Sequence, residues 1–510
     1  MLGRVNSTTL NGIDAIPVEV EVRGSSGMRN FTIIGLADNA VQEARDRVSS
    51  ALQQCGFFLP ERILVNLAPA EIRKAGAGFD LAIALGILAA TGQLLSERLM
   101  QHSVLGELSL NGGVKSVRGI LPSTICALEC GMRGVVVPAA NGAEARLISG
   151  VQHIEVSSLG EAVTYLNRGE LPQDTPPSKP REVRAVSTRS MSDVIGQESA
   201  KRALVIAAAG GHNLLMIGPP GCGKSMMAER FSSILPELRR EEMLEVVKIH
   251  SVAGMPVEGL LTGVRPFRSP HYVVSDAGLI GGGTGPRPGE ISLAHHGVLF
   301  LDEFPEYRRS ALEGLRAPLE SGAVNISRAR GAFTFPARFQ LIAAMNPCPC
   351  GRLGMKDNSC RCSPVAVKQY LGKLSGPILD RIDLHVELEP VPISEVSSDR
   401  GPSVDSEHSD RLRERVVAAR DRQITRQGCL NAALDSSHIR RIIKLDARSL
   451  ALVESAAKRL NLSARGFFRM MRCALTIADL ENNPQVESRH VAEALSFRSL
   501  ERVNRYLNAA

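Results

Sequence analysis

Residues 218–225 read Gly218-Pro219-Pro220-Gly221-Cys222-Gly223-Lys224-Ser225, a glycine-rich turn closed by a lysine and a hydroxyl. Glycines so spaced let backbone N–H groups turn inward on a polyanion, the lysine reaches its terminal phosphates, and the serine ligates Mg²⁺. A plain strand-to-helix turn would use the glycines but has no need of the Lys-Ser pair. Hydrolysis asks for more, a carboxylate for the metal and a base for water. The apolar run Val298 to Leu301 ends in Asp302-Glu303, so Asp302 is expected to hold Mg²⁺ through water and Glu303 to orient and deprotonate the attacking water. A further run, Phe339 to Met345, ends in Asn346, whose amide suits a lytic water beside a γ-phosphate. Arg381 is a candidate arginine finger, with an ion pair to Asp380 or Asp383 as its alternative. Arg465, at the start of a helical stretch, is the candidate second sensor, and Arg469 and Arg472 compete for that role one and two turns on.

Two further clusters stand apart from this constellation. Cys348-Pro349-Cys350 and Cys360-Arg361-Cys362 form two C-x-C pairs separated by nine residues. Four thiolates can close a tetrahedron around Zn²⁺ and staple a loop too short for its own core; buried, unreacted thiols are the alternative. Residues 322–335 read as a β-hairpin with Arg328 and Arg330 at its turn, cations suited to a phosphate backbone. A basic tip can also serve solubility alone. Residues 250–275 are expected to form a second insertion, with Arg265 and Arg268 as further DNA-contact candidates.

The elements that position these residues follow from periodicity. His212 to Ile217 is strand-like and Ser225 to Leu235 helical, which is the context a phosphate loop requires. In the front third, strands are expected at Ala15 to Val22, Phe31 to Ile34, Ile63 to Leu67, Ser103 to Leu110 and Gly134 to Pro138. Residues 39–52 place Val41, Ala44, Val48, Ala51 and Leu52 on one helical face, and Leu81 to Leu95 reads as an apolar helix. Proline-rich residues 171–187 read as a linker. Beyond a polar gap at 395–410, helices are expected at Arg411 to Arg422, Ile439 to Ile443, Ser449 to Leu460, Phe467 to Leu480 and Arg489 to Leu500. The chain is therefore read as α/β, with domains at 1–170, 188–392 and 408–510.

Composition sets the outer bounds. The 510 residues suggest about three domains, and 44% hydrophobic with 22% charged residues is ordinary for a globular protein. Leu81 to Gly92, the most apolar stretch, falls short of the ~20 residues of a membrane span. No export signal is read at the N-terminus, so a reducing cytoplasm is expected and the ten cysteines are not read as disulfides. A net charge of +7 permits a nucleic-acid partner without demanding one.

Around Gly76-Ala77-Gly78-Phe79-Asp80, Gly106 to Gly112 and Val135 to Pro138, the first domain resembles the proteolytic domain of Lon-type proteases. The positions of that family's Ser-Lys dyad fall at about Gly78 and Leu121, and neither side chain can act as nucleophile or base. The resemblance therefore implies an α+β fold without peptidase chemistry.

The match widens with Asp193-Val194-Ile195-Gly196-Gln197, the phosphate loop, Arg265 to His271, Pro286 to Gly297, Leu299 to Glu303 and Asn346 to Gly351. Together these resemble the ComM/YifB family of magnesium-chelatase-like AAA+ ATPases, over nearly the whole chain, and Tyr272 departs from the family's more usual His. The resemblance implies an AAA+ core with a C-terminal helical lid, nucleotide contacts at Ile195 and Gly196, and a homohexamer that promotes branch migration on single-stranded and branched DNA during natural transformation. ATP and Mg²⁺ are the expected cofactors, with structural Zn²⁺ on the cysteines and no membrane partner. The alternative is a chaperone-like remodeller of a protein partner, as in magnesium chelatase.

Overall fold

Alternating apolar residues build the front sheet. Val18, Val20 and Val22 point one way along Asp14–Ser25, and Ile63, Val65 and Leu67 repeat the period along Arg62–Ala68; all six are buried. The computed structural model describes residues 2–170, 190–283, 286–328, 331–355, 359–390, 409–445 and 463–497, with scattered positions between 450 and 455. They fall into two units, one within residues 1–185 plus Arg239–Gly263 and Pro286–Pro288, the other within 186–238, Val264–Gly285 and 289–510.

The first unit carries a seven-stranded mixed sheet in the order Asn30–Ile34, Arg62–Ala68, Asp14–Ser25, Leu2–Asn11, His102–Val104, Gly134–Pro138, Gln152–Val156. Against it lies the helix Asp80–Ala90, in which every residue but Ala89 is buried. A helix apolar on all sides must be enclosed, and glycine makes the approach possible: a Cβ at Gly86 would come within 2.6 Å of Val22. The helix is shorter than expected because the chain turns at Gly92, with φ of +77°. The expected strand over 103–110 breaks into His102–Val104 and Glu107–Leu108. Leu121 is fully buried in the helix Ile120–Glu129.

The second unit is organised by a five-stranded sheet in the order Phe267–Arg268, Val298–Leu301, Gln340–Met345, Leu214–Ile217, Leu384–Glu387, all neighbours parallel. Continuous apolar strands are what a parallel sheet covered on both faces requires, and every residue of the three central strands is buried. Ile217 pairs with Met345 and Leu301 with Ala343, so the C-terminal tips of these strands, where the sequence placed its chemistry, lie side by side. The helices Ser409–Gln427 and Ala464–Leu480 pack on Glu198–Gly210, and Ser436–Ile442 and Ser488–Ser496 stand where helices were expected. Most of the expected Ser449 to Leu460 helix, and residues beyond 497, lie outside the described residues. Among the described residues no helix is long and apolar enough to cross a membrane.

The hairpin forms as read: Ala323–Arg328 pairs with Gly331–Pro336 from Ala323 opposite Pro336 to Arg328 opposite Gly331. Val324, Ile326 and Phe335 bury one face. Arg330 and the Arg328 side chain lie outside the described residues.

Candidate nucleotide site

The phosphate loop leaves Leu214–Ile217 and enters the helix Lys224–Phe231 through Gly221 and Gly223, both left-handed at φ +77° and +92°, a backbone that glycine adopts without strain. Gly218 is fixed by space, since a Cβ there would stand 2.8 Å from the Leu388 carbonyl oxygen. Lys224 is buried, and its Nζ donates to Gly218 O at 2.7 Å, Pro219 O at 2.9 Å and Asn346 Oδ1 at 3.1 Å. Desolvation lowers its pKa, while Cys222 and Asp302 pull the other way. An ammonium held half-stripped of water, with acceptors already oriented, is prepared to meet phosphate oxygens.

Ser225 Oγ donates to Asp302 Oδ2 at 2.5 Å, and the Glu303 amide donates to Asp302 Oδ1 at 2.9 Å. The hydroxyl and carboxylate expected to serve one Mg²⁺ are thus already in contact, although 77 residues separate them. Glu303 is exposed and takes a left-handed φ of +50°. That conformation is uncommon outside glycine and clusters at functional sites.

Three family models match the chain: magnesium chelatase subunit ChlI over residues 190–396, a second ChlI model over 19–141 and the ChlI C-terminal model over 406–498. The chain is 44% identical over 508 residues to the competence protein ComM of Haemophilus influenzae and 43% identical over 503 residues to YifB of Escherichia coli, each match covering 98% of both chains. The chain belongs to the ComM/YifB family. A more distant match, 29% identical over 162 residues, reaches the magnesium-chelatase 67 kDa subunit of Chlorobaculum parvum and covers 31% of this chain and 23% of that one. The parallel sheet with its phosphate loop accords with a magnesium-chelatase-like AAA+ fold.

In this ComM/YifB chain the arginines are arranged in a way the sequence did not reveal. Arg381 reaches neither Asp380 nor Asp383; its Nη2 lies 2.6 Å from Glu320, and it donates to Arg316 O at 3.2 Å and Pro377 O at 2.7 Å. Arg465, in the first turn of the helix that Ser463 caps, lies 3.6 Å from the same Glu320 oxygen. Arg469 faces Asp383 at 3.7 Å instead. Arg472 has a buried Nε.

The expectation that residues 250–275 form an insertion is corrected, while DNA contact by Arg265 and Arg268 stays a proposal. Phe267–Arg268 is the edge strand of the core sheet. Arg268 forms a two-pronged pair with Glu290 at 2.6 and 2.8 Å, and Arg265 donates to the carbonyls of Pro236, His296 and Glu237. Donors so committed tie loops to the sheet.

Gln197 was missed. Its Nε2 donates to Glu389 O at 2.6 Å and Cys222 O at 3.4 Å, holding the Ile195-Gly196 segment beside the loop. Gly196 has φ of +63° and Ile195 is exposed. The signal available was weak, a single amide next to a glycine.

All four cysteines converge. The Cys348 sulfur lies 3.4 Å from Cys350 and 3.7 Å from Cys360, Cys350 lies 3.7 Å from Cys360, and Cys362 completes a set whose ligand atoms all fall within 4.8 Å. Sulfurs around a tetrahedral ion at about 2.3 Å stand about 3.8 Å apart, so the donor set fits one. Gly351, inside this loop, packs on the phosphate loop: a Cβ there would come within 2.5 Å of Pro220.

Proposed function

We propose that this chain is an ATP-hydrolysing AAA+ motor, active as a cytoplasmic homohexamer, that drives branch migration of DNA in natural transformation or homologous recombination. The observation that carries the ATPase reading is the Ser225–Asp302 contact at 2.5 Å beside Lys224 on Asn346. Lys224 and the loop amides at 218–225 bind the phosphates, Ile195 and Gly196 border the nucleotide, and Glu303 takes the proton of the attacking water while Asn346 orients it. Mg²⁺ held by Ser225, and through water by Asp302, would neutralise charge on the transferring phosphoryl group. Arg381 and Arg465 supply guanidinium charge, and the hairpin arginines Arg328 and Arg330 grip the DNA backbone. Zn²⁺ on Cys348, Cys350, Cys360 and Cys362 serves as a structural staple. The competence role named for the H. influenzae relative supports the DNA reading.

Residues 1–170 are proposed as a Lon-protease-like domain without peptidase activity, 188–392 as the AAA+ core and 408–510 as the helical lid; the expected linker at 171–187 lies outside the described residues. The three chelatase-subunit matches favour a second reading, a remodeller of a protein partner. ATP turnover measured without DNA and with single-stranded, duplex and four-way-junction DNA separates the two. Stimulation by branched or single-stranded DNA is expected; no response to any of them would transfer the case to the remodeller.

A further inference from the structure

Two candidate catalytic arginines meet at one carboxylate. Glu320 stands on the helix Arg316–Ser321, which turns at Gly322 with φ of +69° and runs straight into the hairpin strand Ala323–Arg328. Arg381, with a side chain only 7% exposed, grips this helix at two points, Arg316 O and Glu320 Oε1, and anchors its third donor on Pro377 O. Arg465, 66% exposed, approaches the same Oε1 at 3.6 Å. Two cations share one anion, so the cluster keeps a net positive charge with one guanidinium held and the other facing solvent.

A six-residue helix has little stability of its own, because nucleation outweighs what one turn returns. Its position depends on what it touches, and Arg381 makes two of those contacts. A phosphate offered to Arg381 competes with Glu320 for the same donors, since both are oxyanions that accept a guanidinium fork.

We infer that Glu320 is a positioning residue that holds Arg381 and Arg465 as a two-guanidinium clamp for the nucleotide phosphates of a neighbouring chain, and that its helix relays the engagement of that clamp to the hairpin. The inference rests on the ATPase and ring reading given above. It adds the residue that organises the two arginines and the path by which phosphate contact reaches the DNA-facing element.

The test measures steady-state ATP turnover of the full chain with and without single-stranded DNA, together with affinity for a fluorescent ATP analogue, for Glu320→Ala, Glu320→Gln and Arg381→Ala. Glu320→Ala is expected to lower kcat at least about 10-fold, as a misplaced catalytic group does, with nucleotide affinity unchanged and the stimulation by DNA lost. Glu320→Gln keeps an acceptor oxygen and the side-chain volume, so an intermediate kcat is expected, and this variant carries the test if the alanine variant does not fold. A purely structural role would lower the melting temperature and leave the stimulation ratio intact. If both Glu320 variants keep the parental kcat and stimulation while Arg381→Ala is inactive, the inference is overturned and the ATPase reading stands. If Arg381→Ala itself turns over ATP normally, the clamp reading falls at its base.

Discussion

Lys224 shows how one side chain can be read chemically from its neighbours. It gives up water for three oxygen acceptors and sits low in pKa through desolvation, which makes it a strong donor to a phosphate arriving in the same place. Hydrogen bonds to charged groups contribute about 1.5–3 kcal/mol, so Lys224→Ala should weaken ATP binding about 10- to 100-fold in a fluorescent-analogue titration. Glu303 plays a different part. Glu303→Gln keeps its size and its left-handed backbone but cannot take a proton, so kcat should fall about 10²- to 10⁴-fold while ATP affinity holds. A Glu303→Gln chain that still hydrolyses ATP at the parental rate would remove this residue from the role of base.

The elements are tied together by buried polar contacts rather than by apolar packing alone. His212, just ahead of the phosphate-loop strand, meets Thr476 Oγ1 at 2.8 Å on the helix Ala464–Leu480, and its other ring nitrogen lies 3.7 Å from Asp383. Asp383 accepts from the Asn213 amide at 3.1 Å and faces Arg469. Desolvation of the fully buried ring works against its charge, but Cys473 and Asp383 outweigh it and hold His212 at about 10, above the ordinary 6.5. A raised pKa stabilises the fold fully below pH 6.5 and loses that contribution as pH climbs toward 10. Melting temperature against pH should therefore fall across the window in the parent and lie flatter in His212→Gln; parallel curves would contradict the assignment. At the hairpin, Arg328→Ala with Arg330→Ala should abolish stimulation of ATP turnover by DNA and leave nucleotide binding unchanged.

At the scale of the whole molecule, two predictions concern assembly and metal. Light scattering with ATP and an oligonucleotide present should report a hexamer, and a chain that stays monomeric under those conditions refutes the ring. Elemental analysis should find about one zinc per chain and none in Cys348→Ser, since three thiolates no longer close the site; a metal-free parental protein would leave the cysteines as plain thiols. Much of this picture was legible in the sequence because its signals are contiguous: a glycine-rich turn, apolar runs that end in Asp302-Glu303 and Asn346, two C-x-C pairs, an alternating hairpin. Each such signal is set by the geometry of a few bonded neighbours, which is why the three core strands, the loop and the hairpin stand where the spacing put them. What only the tertiary structure decided is how residues far apart in the chain meet. Ser225 reaches Asp302 across 77 residues and Lys224 reaches Asn346 across 122; Arg381 and Arg465 share Glu320; Arg265 and Arg268 are drawn into the sheet and its loops. Residues Arg239–Gly263 join the front unit although they interrupt the core in sequence. Such pairings depend on strand order and register, which one chain's local pattern does not encode, and on desolvation, which makes a buried guanidinium take whichever acceptor the fold brings within reach.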